Sequence, residues 1–341
     1  MTSFPRIISL TLTRSCNLRC KMCGQRGRNG YYSGFRGHQH LSLAVLKKII
    51  KEISGHKGAI ILLRGGEPFL YPGIIGLLSY IKKLGVSVSI DTNGTVLGKY
   101  ARDIVNIGVD NINVSIDGPE KVHDSVRGAA GSFERIKKGI LKIREFEKKK
   151  RKPSCVGCIV FTISPGSYRG LGDMPEVARS LGVNKIAVIP YYYFNAKTGL
   201  KYERLMKSEF SCAARSWKGF FHEGSGVIFG ILAGELKRLR KNLKDVKLLP
   251  FMKMSGSGYR KWFDSSKPGP LRARCRNPEK LVDIQPDGGV NFCVDLPDYT
   301  IGNIKNQSIV ALWNNSRAKN FRDFIKRRSL PVCGRCGARY I

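Results

Sequence analysis

The chain has 341 residues, enough to bury one large α/β domain and a smaller one. Its 42% hydrophobic and 9% aromatic residues carry no internal repeat, no low-complexity tract and no run of ~18 apolar residues, which excludes a membrane-spanning helix. Sixty Lys and Arg against twenty-five Asp and Glu give +35; that favours anionic partners without naming one, because the basic residues are dispersed along the chain.

Met1 to Leu12 lacks the basic, apolar and small-residue sequence of a secretory signal, so the expected compartment is the cytoplasm. In that compartment ten cysteines argue for metal ligation over structural disulfides. Strand-like runs then alternate with amphipathic stretches, the pattern of a parallel β/α domain. The predicted strands are Ile7–Thr13, Ala59–Arg64, Val86–Asp91, Asn111–Ile116, Cys158–Ser164 and Lys185–Pro190. Predicted helices cover Leu43–Ile53 after an N-cap at Ser42, Ile74–Leu84 closing on Gly85, then 99–107, 132–150 and 173–181. The run Lys148 to Lys152 before Pro153 reads as a helix end whose cations complement the dipole.

Six strand–helix units suit an open partial (β/α)6 barrel, whose sites gather at the C-terminal strand ends. There lie Cys16 to Cys23, Glu67, Asn93 and Asp117, after the first four strands in turn. The expected organisation is a barrel over 1–195, a basic, mostly helical insert or bridge over 196–270, and a small metal-stapled α+β module over 271–341.

Cys16, Cys20 and Cys23 form a CxxxCxxC loop leaving the first strand. Thiolate is the standard ligand of a four-iron cluster, and three cysteines fill three corners and leave one iron open. A zinc loop would more often bring CxxC pairs. With Gly65-Gly66-Glu67-Pro68, Thr92-Asn93-Gly94, Ser115-Ile116-Asp117-Gly118 and Arg127-Gly128 ahead of Gly131-Ser132-Phe133, residues 5–190 resemble the radical S-adenosylmethionine (SAM) superfamily.

The resemblance implies a 4Fe-4S cluster on Cys16, Cys20 and Cys23 with SAM on its open iron. Gly65, Gly66 and Glu67 would receive the SAM amino group, Ser115 its ribose or carboxylate, and Arg127 its carboxylate, with Asn93 facing the same cavity. Adenine would rest near Ile163-Ser164-Pro165 and Pro190. The implied chemistry is reductive SAM cleavage to a 5′-deoxyadenosyl radical that takes hydrogen from a substrate, with flavodoxin or ferredoxin as electron donor.

Cys275, Cys293, Cys333 and Cys336 suffice for one further, fully ligated cluster, and Pro286 to Cys293 reads as a hairpin. The segment resembles the auxiliary-cluster module called SPASM or, when shorter, twitch; four cysteines and a chain end five residues past Cys336 favour twitch. A structural zinc site is the alternative for the same four thiols. Cys155 and Cys158 read as buried thiols at a strand entry, Cys212 as a packing residue; His38 and His40 are weaker candidates for the substrate mouth.

The expected activity is oxidation or rearrangement of a peptide or a small, possibly anionic metabolite, with the auxiliary 4Fe-4S cluster as electron acceptor or conduit. Two alternatives stay open: an epimerase or methylase of a sugar or lipid precursor, and an RNA-binding or RNA-modifying protein. The charge motivates the last, but no RNA module or RNP-like aromatic clustering accompanies it.

Overall fold

Every predicted strand forms in the computed structural model, which describes residues 4–27, 29–34, 40–249, 256–264 and 274–337. They are β1 (Ile7–Thr11), β2 (Ile60–Arg64), β3 (Ser87–Thr92), β4 (Asn111–Ser115), β5 (Val156–Ile163) and β6 (Lys185–Pro190), paired in parallel and in chain order. The parallel partial barrel is therefore the core of the molecule.

The helices between them cover its outer face. In α1 (Leu43–Ser54) the Ser42 hydroxyl accepts from the Val45 amide, and Leu46, Ile49, Ile50 and Ile53 repeat at helical spacing and are buried. Burying each such side chain is worth about 1.5–3 kcal/mol, so the four together outweigh the cap, worth about 0.5–2 kcal/mol. Then come α2 (Ile74–Lys83), α3 (Leu97–Ile107), α4 (Glu120–Arg127), α5 (Ser132–Lys150) and α6 (Met174–Ser180). Helix α4 was not predicted, because its buried face is His123, Val126 and Arg127 and no apolar stripe marks it. Arg151 ends α5 in a left-handed conformation after Lys148 to Lys150, the structural role expected of that basic run.

The sheet extends beyond the six predicted strands. The segment read as an insert holds α7 (Ala196–Phe210), α8 (Phe229–Asn242) and α9 (Gly256–Asp264), together with β7 (Lys247–Leu249), which pairs in parallel with β6. At the opposite edge, after α10 (Asn277–Lys280), β8 (Leu281–Ile284) pairs in parallel with β1. The predicted hairpin follows as β9 (Gly289–Asn291), antiparallel to β8, with β10 (Gly302–Asn303) beyond it. Helices α11 (Ile309–Asn314) and α12 (Ser316–Arg327) close the module. Strands as short as β7 and β8 carry little periodicity of their own, so register against β6 and β1 decides them.

Side chains on β2, β3 and β4 alternate strictly between a buried and a partly exposed face. The buried face is aliphatic: Ile61, Leu63, Val88, Ile90, Ile112 and Val114. The partly exposed face, inside the barrel, is mostly polar: beside Ile60 and Leu62 it presents Arg64, Ser87, Ser89, Asp91, Asn111, Asn113 and Ser115. Barrels filled by core packing carry branched aliphatic residues there, so this interior is a chemical surface rather than a core.

Candidate active site

Between β1 and α1 the chain folds back on itself around the first three cysteines. The Leu18 amide donates to Cys16 Sγ at 3.4 Å and the Arg26 amide to Cys23 Sγ at 3.3 Å. Asn93 Nδ2 lies 3.8 Å from Cys16 Sγ, and Arg127 Nη1 lies 3.7 Å from Cys20 Sγ. Each thiol thus faces at least one donor, the environment that stabilises a thiolate ligand. Burial, with Glu67, Cys20 and Cys23 adding to it and the Leu18 amide opposing it, raises the Cys16 thiol to about 12, and burial raises Cys20 against the pull of Arg127. Iron binding must therefore displace protons that burial holds in place. The all-thiol donor set and its N–H donors fit a cluster.

Glu67 is wholly buried. Its Oε1 accepts from the Phe69 amide at 3.1 Å and Thr92 Oγ1 at 2.7 Å, and its Oε2 from the Asn93 amide at 2.8 Å. Burial raises this carboxyl, and those donors oppose the rise. The expected acceptor of the SAM amino group is therefore mostly committed to the protein, and what it does visibly is fix Asn93. Asn93 in turn donates to Asn17 Oδ1 at 2.9 Å and accepts from Thr95. The two glycines before Glu67 have a structural cause of their own. A Cβ on Gly66 would stand 2.0 Å from the Ser15 carbonyl oxygen, and Gly65 has φ +137° with the Thr13 carbonyl close by. The Gly66 and Glu67 amides donate to the Thr13 and Ser15 carbonyls, locking the second strand's loop onto the cysteine loop.

Arg127 Nη2 pairs with Asp117 Oδ2 at 2.7 Å and its Nη1 faces Cys20, so the guanidinium stands beside the cysteine loop. Both residues are buried, so each offsets the desolvation cost of the other. Burial raises the Asp117 carboxyl; Arg127 and the Thr162 amide, which donates to Oδ1 at 2.9 Å, oppose it. His123 Nδ1 accepts from the Asp117 amide at 3.2 Å, and burial lowers its pKa to about 3, so it is neutral. Asp124 accepts from the Gly131 and Phe133 amides and the Ser132 hydroxyl, capping α5 from outside. That explains the Arg127-Gly128 … Gly131-Ser132-Phe133 signature: it shapes α4 and α5. Ser115 ends β4 on the barrel interior, opposite Val160. Ser164, placed near the adenine, is buried and held by Ser167.

The second set of thiols is assembled from three separate segments. Cys275 precedes α10, Cys293 follows β9, and Cys333 and Cys336 lie at the short turn Pro331–Arg335. Burial raises the Cys293 thiol well above its ordinary value, and Cys333, Cys275 and Cys336 add to the rise, which brings all four into one neighbourhood.

Polar contacts tie this module to the barrel, among them Ser9 Oγ to Asp283 at 2.5 Å, Arg14 to Asp287 at 2.6 Å, Arg64 to Asp295 at 2.8 Å, and the Ile309 and Val310 amides to Glu52. Asp298 accepts from Tyr202 Oη at 3.0 Å and from the Arg215 and Ser216 amides, holding the chain after α7 against it. Sequence reasoning missed Arg64, Asp283, Asp295 and Asp298, since single charged residues 200 positions apart give no local signal.

The remaining candidates fall into packing roles. Burial raises the Cys155 thiol to about 12, Glu147 reinforcing it, and Cys158 to about 11. Cys212 Sγ lies 3.0 Å from the Asp298 carbonyl oxygen. His40 bridges to Thr13 through its backbone and packs edge-on against Tyr71; His38 lies outside the described residues.

Against known proteins, residues 10–165 match the model of the radical SAM superfamily, and residues 275–337 match SPASM, an iron–sulfur cluster-binding domain. The pre-heme d1 synthase of Dinoroseobacter shibae is 25% identical over 97% of this chain and 78% of its own length. The AdoMet-dependent heme synthase of Methanosarcina barkeri is 31% identical over 58% of this chain, and the match spans about half of that relative, 53%. Among solved structures, Streptococcus suis SuiB bound to its precursor peptide SuiA superposes with a TM-score of 0.64 at 13% identity, covering 95% of this chain and 68% of SuiB; this is a likeness of fold. No helix of the described residues is long and apolar enough to cross a membrane.

Proposed function

This chain belongs to the radical SAM superfamily and carries a SPASM iron–sulfur domain, and from that premise we propose that it oxidises or rearranges a polar substrate held inside the barrel. A cluster on Cys16, Cys20 and Cys23 with bound SAM supplies one-electron reductive cleavage and a hydrogen-abstracting radical. The chain's own residues do the rest. Thr92, Asn93 and Glu67 hold the second and third strand ends against the cysteine loop. Asp117 fixes Arg127 beside Cys20, and Ser115 ends β4 on its partly exposed face, from which it would reach the bound cofactor.

The polar inner wall carries the substrate assignment. Asp91 accepts from Asn113 at 2.8 Å, Asn111 donates to Ser89 at 2.8 Å, and Arg64 pairs with Asp295, so the wall presents hydrogen-bonding groups on β2, β3 and β4. That wall suits a peptide or a small polar metabolite, and an electron leaving the substrate would pass to the cluster on Cys275, Cys293, Cys333 and Cys336. A flavodoxin- or ferredoxin-type donor would supply the reducing electron.

A second reading has its own observation. The pre-heme d1 synthase aligns over nearly the whole chain, which favours a tetrapyrrole. Titration with hemin separates the two: a saturable Soret shift at micromolar protein supports the macrocycle, and its absence supports the polar substrate. The common core is tested by anaerobic assay with dithionite and SAM. Changing Cys16, Cys20 and Cys23 together to Ala is expected to abolish 5′-deoxyadenosine, and continued product would overturn the reading.

A further inference from the structure

The chain as a whole and the interior of its barrel carry charge of opposite sign. Lys and Arg exceed Asp and Glu by 35 over the sequence. Inside the barrel, burial opposes the charge of Arg64, and the carboxylates of Asp295, Asp283 and Asp91 together outweigh it. Strand register explains the gathering. Thr11 pairs with Arg64 across β1 and β2, Leu63 with Ile90 across β2 and β3, and Asp91 with Asn113 across β3 and β4. Arg64, Asp91 and Asn113 therefore stand side by side on one face. Ser9, two residues before Thr11, pairs with Asp283 across β1 and β8, and Asp283 with Asn291 across β8 and β9, which sets Asp283 and Asn291 on that same face.

Two of the three carboxylates keep an oxygen open. Asp295 gives Oδ1 to Arg64 at 2.8 Å, and Asp91 gives Oδ1 to Asn113 at 2.8 Å; among the described residues the second oxygen of each takes no hydrogen bond. Asp295 is 25% exposed and Asp91 is partly exposed, so both open oxygens belong to side chains that line accessible space. Asp283 differs, being wholly buried and bonded to Ser9 and Gln285. Beside it Asn291 is 1% exposed, and neither its amide oxygen nor its amide nitrogen has a partner. A buried amide left unpaired costs free energy, so the interior holds hydrogen-bonding capacity that the protein itself does not use.

We propose that the barrel interior recognises its substrate by a protonated amine, held by the open oxygens of Asp91 and Asp295. The proposal rests on the reading that a polar substrate lies inside the barrel, and it narrows that substrate to an organic cation. Three carboxylates around one guanidinium leave two negative charges in excess, and charges drawn out of bulk water need a counter-charge. Arg14, the next cation along the wall, is engaged by Asp287 at 2.6 Å. Burial raises the Asp91 carboxyl, Asn113 and Arg64 oppose the rise, and Asp295 adds to it, so the two carboxylates feel each other. A cation between them relieves that repulsion. An ammonium is a compact charge with three donors, enough for both open oxygens with one to spare. A carboxylate on the substrate would add to the excess negative charge, and an uncharged group would leave it in place. Outside the barrel the basic surface repels cations, so the attraction is confined to the interior.

The test is a calorimetric titration of the anaerobically reconstituted holoenzyme with SAM present. The probes are a blocked glycine–lysine–glycine peptide, its norleucine and glutamate counterparts, and pentylamine. The lysine peptide or pentylamine is expected to bind saturably, at one site per chain, and at least about tenfold more tightly than the norleucine and glutamate peptides, the worth of one hydrogen bond to a charged group. Tighter binding of the lysine peptide than of pentylamine makes a basic peptide the source of the amine; equal or tighter binding of pentylamine makes it a small metabolite. Asp91→Asn should weaken binding of the amine at least about tenfold. Equal binding of the three peptides without binding of pentylamine, preference for the glutamate peptide, no binding of either amine, or unchanged affinity in Asp91→Asn overturns the proposal. If Asp91→Asn does not load iron, the wild-type series decides by itself. Wild-type protein that forms no 5′-deoxyadenosine from SAM and dithionite defeats the radical-enzyme reading; protein that forms it and shows no preference for the amines defeats this proposal alone.

Discussion

The two cysteine sites solve one problem by opposite means. Cys16, Cys20 and Cys23 lie within eight residues on a single loop, and backbone amides of that loop serve their sulfurs. Cys275, Cys293, Cys333 and Cys336 span 62 residues and are brought together by tertiary structure: β8 pairs with β1, and polar contacts such as Ser9–Asp283, Arg14–Asp287 and Arg64–Asp295 dock the module on the barrel. The first site is a local motif that the fold finishes; the second exists only through the fold. Losing tertiary structure should therefore dismantle the second site while leaving the first site's ligand spacing unchanged.

The sharpest break between them comes from removing the second site alone. Changing Cys275, Cys293, Cys333 and Cys336 to Ala is expected to halve the iron content, from about eight to about four per chain, and to abolish substrate oxidation. Formation of 5′-deoxyadenosine should persist; its loss in protein that retains four irons would show that the sites do not act separately. Iron analysis and product chromatography on the same sample read both outcomes.

Next in size is Asp117→Asn. It strips the carboxylate from a buried Arg127 and should cost about 3–5 kcal/mol of stability, the range for an uncompensated buried charge. Removing the Arg335–Tyr193 contact with Tyr193→Leu forfeits a cation–π contact of about 0.5–2 kcal/mol plus part of the ring's packing. Urea unfolding of the two variants should rank them in that order, and equal losses would contradict it.

A pH effect isolates the seam between the regions. Burial raises the Asp283 carboxyl to about 6, against the favourable charge of Arg64 and the bond from Ser9. A carboxyl raised above its unfolded value of about 3.9 favours the folded state while protonated. Its contribution is full below pH 4 and is lost as pH rises through 6. Asp283→Asn should flatten that part of the melting-temperature profile between pH 4 and 6; an unchanged slope would assign it to other groups.

The smallest effects are expected at the cysteines outside both sites. Cys155→Ala and Cys158→Ala empty a small buried volume and should cost about 1 kcal/mol each, with iron content and SAM cleavage unchanged. Cys212→Ser should be milder still, since Cys212 is half-exposed and its sulfur touches backbone carbonyls that a hydroxyl also bonds. A fall in iron content for any of the three would bring it back as a ligand.

Much of this was legible in the sequence, and the reason is periodicity and spacing. All six central strands were placed to within two residues at either end, and α5 over its full length, because their apolar faces repeat at 2 or 3.6 residues. The cysteine spacing, the Gly65-Gly66-Glu67 loop and the Ser115 to Asp117 strand end could be located because each belongs to a contiguous motif. Helix α4 escaped because its buried face is partly ionic, and β7 and β8 escaped because strands of three and four residues carry too little pattern.

By itself, the sequence determined that three cysteines on one loop stand at the C-terminal end of a parallel barrel, with four more near the chain's end. Tertiary structure alone decided what surrounds them. It set Arg127 between Asp117 and Cys20, committed Glu67 to Thr92 and Asn93, and joined Arg64 to Asp295 across 231 positions. The physical reason is that a buried charge must find its partner in space, and the chain gives no local sign of which distant residue that will be.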